Sequence, residues 1–172
     1  MLDLASGPGV LASAAAAEVQ GGLVVASDIA EGALREGRRR AVADNLVFVA
    51  ADAERLTFAD GVFDRVLCGL GLMFFPAAEQ SLAEMRRVLK PGGLAVFSVV
   101  RARRRRRLGV MPCPAYEPHP APPPKAERLS PFRFGSRPFL KQTLEAAGFR
   151  EVELHTHTLS CVFATPQDYW QA

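Results

Sequence analysis

A glycine turn stands near the start of the chain, in the stretch D-L-A-S-G-P-G. Its glycines, Gly7 and Gly9, follow a short apolar run. Glycine permits a tight turn and a close approach of the backbone to a ligand, and a following helix offers free N–H groups. Gly7, Gly9 and Ala12 also satisfy the G-x-G-x-x-G/A pattern of dinucleotide binders. The turn therefore predicts a bound nucleotide or nucleoside at the carboxyl edge of a sheet.

Three aspartates near the ends of apolar runs narrow the choice of ligand. Asp3 lies four residues before Gly7, where dinucleotide binders prefer an apolar residue because the pyrophosphate is anionic. Asp28 ends the second run, where a carboxylate accepts hydrogen bonds from ribose hydroxyls. Asp52 follows the third run and is suited to an adenine amino group. Each alone is compatible with a turn residue. Together they favour a nucleoside with a cationic amino-acid tail, which is S-adenosylmethionine.

The elements that must position these residues alternate along the first 100 residues. Buried strands are predicted at LDLA, LVVAS, LVFVA, FDRVLC and LAVFSVV. Helices are predicted at Val10–Gln20, Ala30–Val42, Ala77–Lys90 and Ser136–Ala147. This alternation predicts an α/β fold, a Rossmann-like three-layer sandwich with a mostly parallel sheet. A further strand, near an edge, is predicted in FREVELHTHTLSCVF at residues 149–163.

The composition is that of a single globular domain. The 172 residues are 49% hydrophobic and 23% charged, which is the ordinary range. We divide the domain 1–172 into a cofactor-binding core at 1–100, an Arg/Pro-rich loop insertion at 101–136, and a C-terminal helix and edge strand at 137–172. No apolar run is long enough to span a bilayer, and no membrane partner is expected.

The three cysteines match no zinc pattern, and their odd number argues against a disulfide framework. We therefore expect a reducing, cytoplasmic location and no metal site.

The basic character of the chain is concentrated in Arg101–Arg107, which holds six arginines. The other residues include 15 basic and 18 acidic ones and carry a net charge of −3, against +3 for the whole chain. Such a run could bind nucleic acid electrostatically. It lacks interleaved aromatic residues and lies beside eight prolines, so a solvated loop is the favoured interpretation and nucleic-acid binding is not expected.

Four motifs in order resemble the class I S-adenosylmethionine-dependent methyltransferases. They resemble the type 11 group, which includes ubiquinone and menaquinone biosynthesis methyltransferases. The motifs are DLASGPG, SDIAEGAL, ADAERLTFADGVFDRVLC and LAEMRRVLKPGGLAVFSVV. The first matches D/E-x-G-x-G-x-G, with Ala5 in place of the first glycine. The resemblance is strong over residues 1–100 and looser over residues 132–170.

The resemblance implies a role for each matching residue. Asp3 helps to place the methionine ammonium, and the turn with Ala5, Gly7 and Gly9 approaches the methionine and sugar. Asp28 holds the ribose. Ile29 packs against adenine. The edge of the adenine is contacted by Asp52 and the Ala53 backbone. Near the methionine moiety lie Cys68 and Gly69.

A small-molecule methyl acceptor would lie near the loop GLGLMFFP. Met73 and Phe74 are candidate contacts there, although packing onto the sheet is the commoner role of such residues. No catalytic residue is assigned.

Relatives carry a leading helix before the glycine strand and end with a seventh, antiparallel strand. We expect this chain to lack the helix and the seventh strand, so that it is shortened at both ends, and an unpaired sheet edge would then favour self-association. The alternatives to an active methyltransferase are a non-catalytic fragment and a nucleic-acid-associated protein using the arginine run. A dinucleotide oxidoreductase is disfavoured by Asp3 and by the lack of a Tyr-x-x-x-Lys pair.

Overall fold

The structure, a computed structural model, describes residues 1–19, 21–101 and 129–158. The arginine run beyond Arg101, two of the three cysteines and the last part of the predicted edge strand lie outside these residues. None of the helices in the described part is long and apolar enough to cross a membrane.

Five parallel strands form the sheet, which confirms the predicted fold class. They are β1 (Leu2–Leu4), β2 (Val24–Asp28), β3 (Leu46–Ala50), β4 (Phe63–Gly69) and β5 (Leu89–Ser98). Their order is β3-β2-β1-β4-β5. In register, Asp3 of β1 lies beside Ala26 of β2 on one side and Leu67 of β4 on the other. The central strand therefore carries both the first aspartate and the glycine turn.

Four helices are present at the predicted positions: α1 (Val10–Glu18), α2 (Glu31–Arg40), α3 (Ala78–Val88) and α4 (Arg137–Ala146). The prediction extended α3 to Lys90. It ends earlier because its last carbonyls are taken by a loop: the N–H groups of Gly61 and Val62 each donate at 2.9 Å, to Arg87 O and Val88 O respectively. The strand β5 then starts directly at Leu89.

The sheet is covered by helices on both faces, as predicted. Because side chains alternate along a strand, Leu2 and Leu4 pack with α3 and α4 in the larger core. Ala12 and Ala16 of α1 pack with Val24 and other residues in the smaller core on the opposite face. Asp3 lies between Leu2 and Leu4, so its carboxylate belongs to the face that α1 covers.

The predicted strand at residues 149–163 is wrong over its described part, because residues 149–158 form no strand. Glu151 adopts a left-handed φ of 53°, which interrupts the extended backbone that a strand needs. The Arg137 guanidinium donates hydrogen bonds to the carbonyl of Leu154 at 2.7 Å and to the hydroxyl of Thr156 at 2.9 Å. Val152 and Leu154 pack against the larger core, so their alternation with polar residues reflects packing without a hydrogen-bonded ladder.

Arg87 ties α3 to the loop between β3 and β4. Its guanidinium donates to the carbonyls of Leu56 and Phe58 at 3.0 and 2.8 Å. It also forms charge-assisted bonds with Glu84 and Asp60, both at 2.7 Å, and bonding to Arg87 lowers the pKa of Glu84. We expect Arg87→Ala to lower the free energy of unfolding by about 3 kcal/mol, because two carbonyls and two carboxylates lose their partner together.

Urea unfolding of the purified chain measures this loss. The matched control is Arg35→Ala, which removes a solvent-exposed ion pair with Glu31 at 3.6 Å and should change stability by less than about 0.5 kcal/mol. Equal effects of the two substitutions would contradict the assigned role of Arg87.

Candidate functional site

The strand order places a candidate ligand site at the carboxyl edge of the sheet, beside β1. The chain passes from β1 to β2 and β3 on one side and to β4 and β5 on the other. In open α/β sheets, ligands bind at such a switch point, outside the carboxyl ends of the strands. The segments that follow β1, β2, β3 and β4 all start at this edge, and they contain the residues singled out in the sequence.

The two glycines of the turn have different roles. Both have a left-handed φ, 55° at Gly7 and 78° at Gly9. A Cβ added at Gly9 would lie 2.7 Å from Cε1 of Phe48, so Gly9 allows α1 to pack on β3. A Cβ added at Gly7 would meet nothing within 4 Å. Gly7 therefore borders open space, where a ligand can approach the backbone.

Ala5 adopts a conformation that suits glycine better than alanine. Its φ is 55°, and a left-handed alanine costs about 1–2 kcal/mol. We expect Ala5→Gly to raise the free energy of unfolding by about 0.5 kcal/mol, since greater freedom of the unfolded chain offsets part of the relief. The control is Ala41→Gly. Because Ala41 has an ordinary φ of −66°, this substitution should instead lower the free energy of unfolding. Urea unfolding midpoints that move in the same direction for both variants would contradict this account.

Asp28 connects the glycine turn to the end of β2. Its Oδ2 accepts the N–H of Gly7 and its Oδ1 accepts the N–H of Ala30, both at 2.8 Å. An ionised carboxylate has about four acceptor positions, so ribose hydroxyls can still donate to it. The neighbouring Ile29 is 72% exposed, which leaves an apolar surface available to a flat ring.

Asp3 is a buried carboxylate with an unpartnered oxygen. It is only 1% exposed, and its Oδ2 has no hydrogen-bond partner within the part of the chain that the structure describes. Burial raises its pKa to about 7; the backbone N–H of Ala12 opposes this rise, and the nearby Asp28 carboxylate adds to it. A cationic ligand group at this edge would favour the ionised form.

The predicted adenine-binding segment begins directly after β3. Asp52 is exposed, and its Oδ1 accepts the N–H of Glu54 at 2.9 Å while its carbonyl accepts that of Arg55 at 3.0 Å. The Ala53 side chain belongs to the larger core, which leaves its backbone as the part that a ligand could contact.

Cys68 and Gly69 end β4 next to the turn. Cys68 is buried, and this burial raises the pKa of its thiol to about 12, so the thiol stays protonated and packs as an apolar group. A Cβ added at Gly69 would lie 3.2 Å from the Leu11 side chain. The small residue thus allows α1 to lie close to the end of β4.

The loop from Leu70 to Ala77, here the β4–α3 loop, contains the two candidate acceptor contacts. Met73 is 3% exposed and lies in the larger core, whereas Phe74 is 56% exposed. Phe74 is therefore available to a ligand at the surface, and Met73 packs within the protein.

Sequence reasoning missed the residues that hold this loop. The N–H of Leu70, which has a left-handed φ of 59°, donates to Ser98 Oγ at 3.0 Å. Glu54 Oε1 accepts the N–H of Ala77 at 2.7 Å. Arg133 donates to carbonyls in the middle of the loop. No local pattern marks these residues, since each partner is 23 or more positions away.

Comparison with known proteins identifies the family. Residues 2–97 match the family model described as "Methyltransferase domain", type 11. This match includes the glycine turn, all three aspartates and the β4–α3 loop.

Two curated relatives are similar over the same region. The demethylmenaquinone methyltransferase of Clavibacter sepedonicus is 47% identical over 98 residues, which cover 56% of this chain and 39% of that protein. A ubiquinone/menaquinone biosynthesis C-methyltransferase of Bordetella avium is 46% identical over 96 residues, covering 54% and 38% of the two chains. The chain thus spans about two fifths of the length of the curated relatives it matches.

A solved structure shares the fold. The S-adenosylmethionine-dependent methyltransferase of Mesorhizobium loti aligns with a TM-score of 0.52 at 25% identity, covering 56% of this chain and 44% of that one. These comparisons bear out the resemblance read from the motifs, with S-adenosylmethionine as the cofactor of the family. More than half of the chain matches the family model, and the chain belongs to the methyltransferase domain family.

Proposed function

We propose that this chain binds S-adenosylmethionine and transfers its methyl group to a small-molecule acceptor. The observation that carries the proposal is the pairing of Gly7, which borders open space, with Asp3, a buried carboxylate one oxygen of which has no hydrogen-bond partner among the described residues. The residues fit the cofactor: open space beside a left-handed glycine admits its methionine portion, and the carboxylate compensates its ammonium.

The proposed contacts divide the cofactor among three strand ends. Gly7 and the first turn of α1 face the methionine and sugar. Asp28, fixed by two backbone N–H groups, accepts from the ribose hydroxyls, and Ile29 packs against the adenine ring. The Asp52 carboxylate accepts a hydrogen bond from the adenine edge, and the backbone N–H of Ala53 donates one to it.

The chemistry needs little from side chains. When bound, the cofactor would supply a methyl carbon on a sulfonium, to which the acceptor nucleophile bonds while the C–S bond breaks and the neutral thioether leaves. The protein aligns the two reactants and keeps water out. Half-exposed Leu70 and Phe74 offer apolar surface for that purpose at the end of β4. A general base is required only for an acceptor that must lose a proton, and we assign none.

A quinol-like aromatic ring is the acceptor class that we propose to test first. The two relatives described above are named for menaquinone and ubiquinone biosynthesis. The apolar residues at the site suit a flat apolar ring. Detection of a methylated product from 1,4-dihydroxynaphthalene, with catechol and histamine as comparison acceptors, would test this class.

Calorimetric titration with S-adenosylhomocysteine tests cofactor binding. We expect micromolar binding by the purified chain, no binding of NAD, and at least tenfold weaker binding by Asp28→Asn. Asp64→Asn is the control, since Asp64 is an exposed carboxylate that pairs with Lys90 at 2.8 Å. A folded chain that shows no heat with S-adenosylhomocysteine would overturn the proposal and leave a non-catalytic fragment as the better interpretation.

We also propose self-association through β5. It is one of the two edge strands of the described sheet, with β3 at the other edge, and residues 149–158, which follow α4, do not pair with it. Exposed strand edges favour pairing with another chain. Light scattering after size exclusion should show a mass that rises with concentration, and a strictly monomeric mass over a wide range would contradict it.

The solvated role of the arginine run and the cytoplasmic location stay predictions.

A further inference from the structure

Arg133 joins the segment before α4 to the β4–α3 loop, although the two are about sixty residues apart in sequence. One terminal nitrogen of its guanidinium donates to the carbonyl of Leu72 at 3.1 Å and also to the carbonyl of Phe75. The guanidinium lies 4.7 Å from the ring centre of Phe134, and Phe134 is buried in the larger core. The arginine is therefore anchored on the core and reaches into the loop.

The loop depends on such outside contacts because it makes few of its own. Its single 3₁₀ turn, Leu72–Phe74, has one well-formed bond, from Phe74 N to Gly71 O at 2.8 Å. The next, from Phe75 N to Leu72 O, is 3.4 Å long, which is weak. Short 3₁₀ segments have poor internal geometry, so an external donor has a large effect on their conformation.

Within residues 1–19, 21–101 and 129–158, three side chains from three separate segments bond to the loop. Ser98 at the end of β5 binds its start, Glu54 from the loop after β3 binds its end, and Arg133 binds its middle. Arg133 does this while its own Nε is buried without a partner among the described residues. An unsatisfied buried donor is unfavourable for stability, which points to a role in placing the loop.

The loop in turn abuts the glycine turn. A Cβ added at Gly71 would lie 2.6 Å from Cβ of Ala5 and 2.9 Å from Sγ of Cys68. A shift of the loop would therefore move against the backbone that approaches the ligand. We infer that Arg133 is a positioning residue, which fixes the β4–α3 loop against the glycine turn so that ligand binding depends on it. The dependence of ligand binding rests on the proposed function; the fixing of the loop does not.

Hydrogen exchange of Arg133→Ala tests the placement of the loop. We expect amide protection at residues 71–75 to fall about tenfold while protection of the five strands is unchanged. The control is Arg137→Ala, which removes a guanidinium bonded to Leu154 O and Thr156 Oγ1 and not to the loop, and which should leave the loop protected. Unchanged loop protection in Arg133→Ala, or an equal loss throughout the sheet, would overturn the inference.

Titration with S-adenosylhomocysteine tests the consequence for binding. The dissociation constant should rise about tenfold in Arg133→Ala and recover partly with dilute guanidinium ion, which returns a cationic donor to the two carbonyls. Arg133→Lys, which keeps the charge, serves if the alanine variant fails to fold and should bind with intermediate affinity. A wild-type chain that binds no S-adenosylhomocysteine refutes the proposed function alone. Wild-type affinity in a folded Arg133→Ala refutes the positioning role.

Discussion

Replacement of Gly7 by alanine is expected to abolish detectable binding of S-adenosylhomocysteine while lowering the free energy of unfolding by only about 1 kcal/mol. The stability loss comes from the left-handed φ of 55°, because, apart from the two adjacent residues, no described residue has an atom within 4 Å of the added Cβ. The loss of binding comes from the same methyl group, which would occupy the space through which a ligand approaches the backbone. Calorimetry and urea unfolding measure the two effects separately.

Gly92→Ala is the matched control for this prediction. Gly92 also has a left-handed φ, 76°, and also borders open space, but it lies near the amino end of β5. The two variants should lose similar stability, and only Gly7→Ala should lose binding. Loss of binding in both would show that general destabilisation is the cause, and binding retained by Gly7→Ala would place the ligand elsewhere.

Asp3→Asn is expected to stabilise the protein above pH 7, because the wild-type carboxylate is held in a buried position. The pKa of Asp3 is raised from 3.8 to about 7 in the folded state. Between these values the folded protein retains a proton that the unfolded chain has released. Stability therefore falls as pH rises through this window, by about 4 kcal/mol in total, and stays level above it. Asparagine removes this pH dependence. Its buried amide is also incompletely hydrogen-bonded, so the free energy of unfolding at pH 8 should rise by only about 2 kcal/mol.

The same substitution should weaken ligand binding. A cationic group binds the ionised form of Asp3. The affinity for S-adenosylhomocysteine should therefore increase by up to about tenfold for each unit by which the pH rises toward 7, and it should be constant above pH 7. Asp3→Asn should bind more weakly and lose this component of the pH dependence. Asp64→Asn is the control; bonding to Lys90 lowers the pKa of that exposed carboxylate, so its removal should leave the profile between pH 5 and 7 unchanged.

Opposite effects on stability and binding are the signature of a residue retained for function. If Asp3→Asn destabilised the protein at pH 8 and left binding intact, the carboxylate would be a structural group, and the assignment of the ammonium to it would be wrong.

The sequence alone determined the order of the elements and most of the ligand edge. Short apolar runs bounded by Gly, Asp or Asn placed the five strands, and the same pattern placed Gly7 just after the first strand and Asp28 at the end of the second. These inferences succeeded because strand burial and glycine turns depend on neighbouring residues. Parallel strands then bring their carboxyl ends to one edge, so a linear pattern was enough to bring the candidate residues to that edge.

The alternation of apolar and polar residues predicted a strand that residues 149–158 do not form. Glu151 is left-handed there, and Arg137 donates hydrogen bonds to this segment. Local pattern predicts which side chains face the core, but a ladder also needs a partner strand in register.

Only the tertiary structure separated Gly7, which borders open space, from Gly9, which packs on Phe48. It also decided the raised pKa of Asp3 and the role of Arg133. Each of these depends on distant parts of the chain: the ring of Phe48 for Gly9, burial in the folded protein and then the Asp28 carboxylate for the pKa of Asp3, and the carbonyl of Leu72 for Arg133. Burial and hydrogen bonding are properties of the folded arrangement, and so residue types and spacing do not specify them.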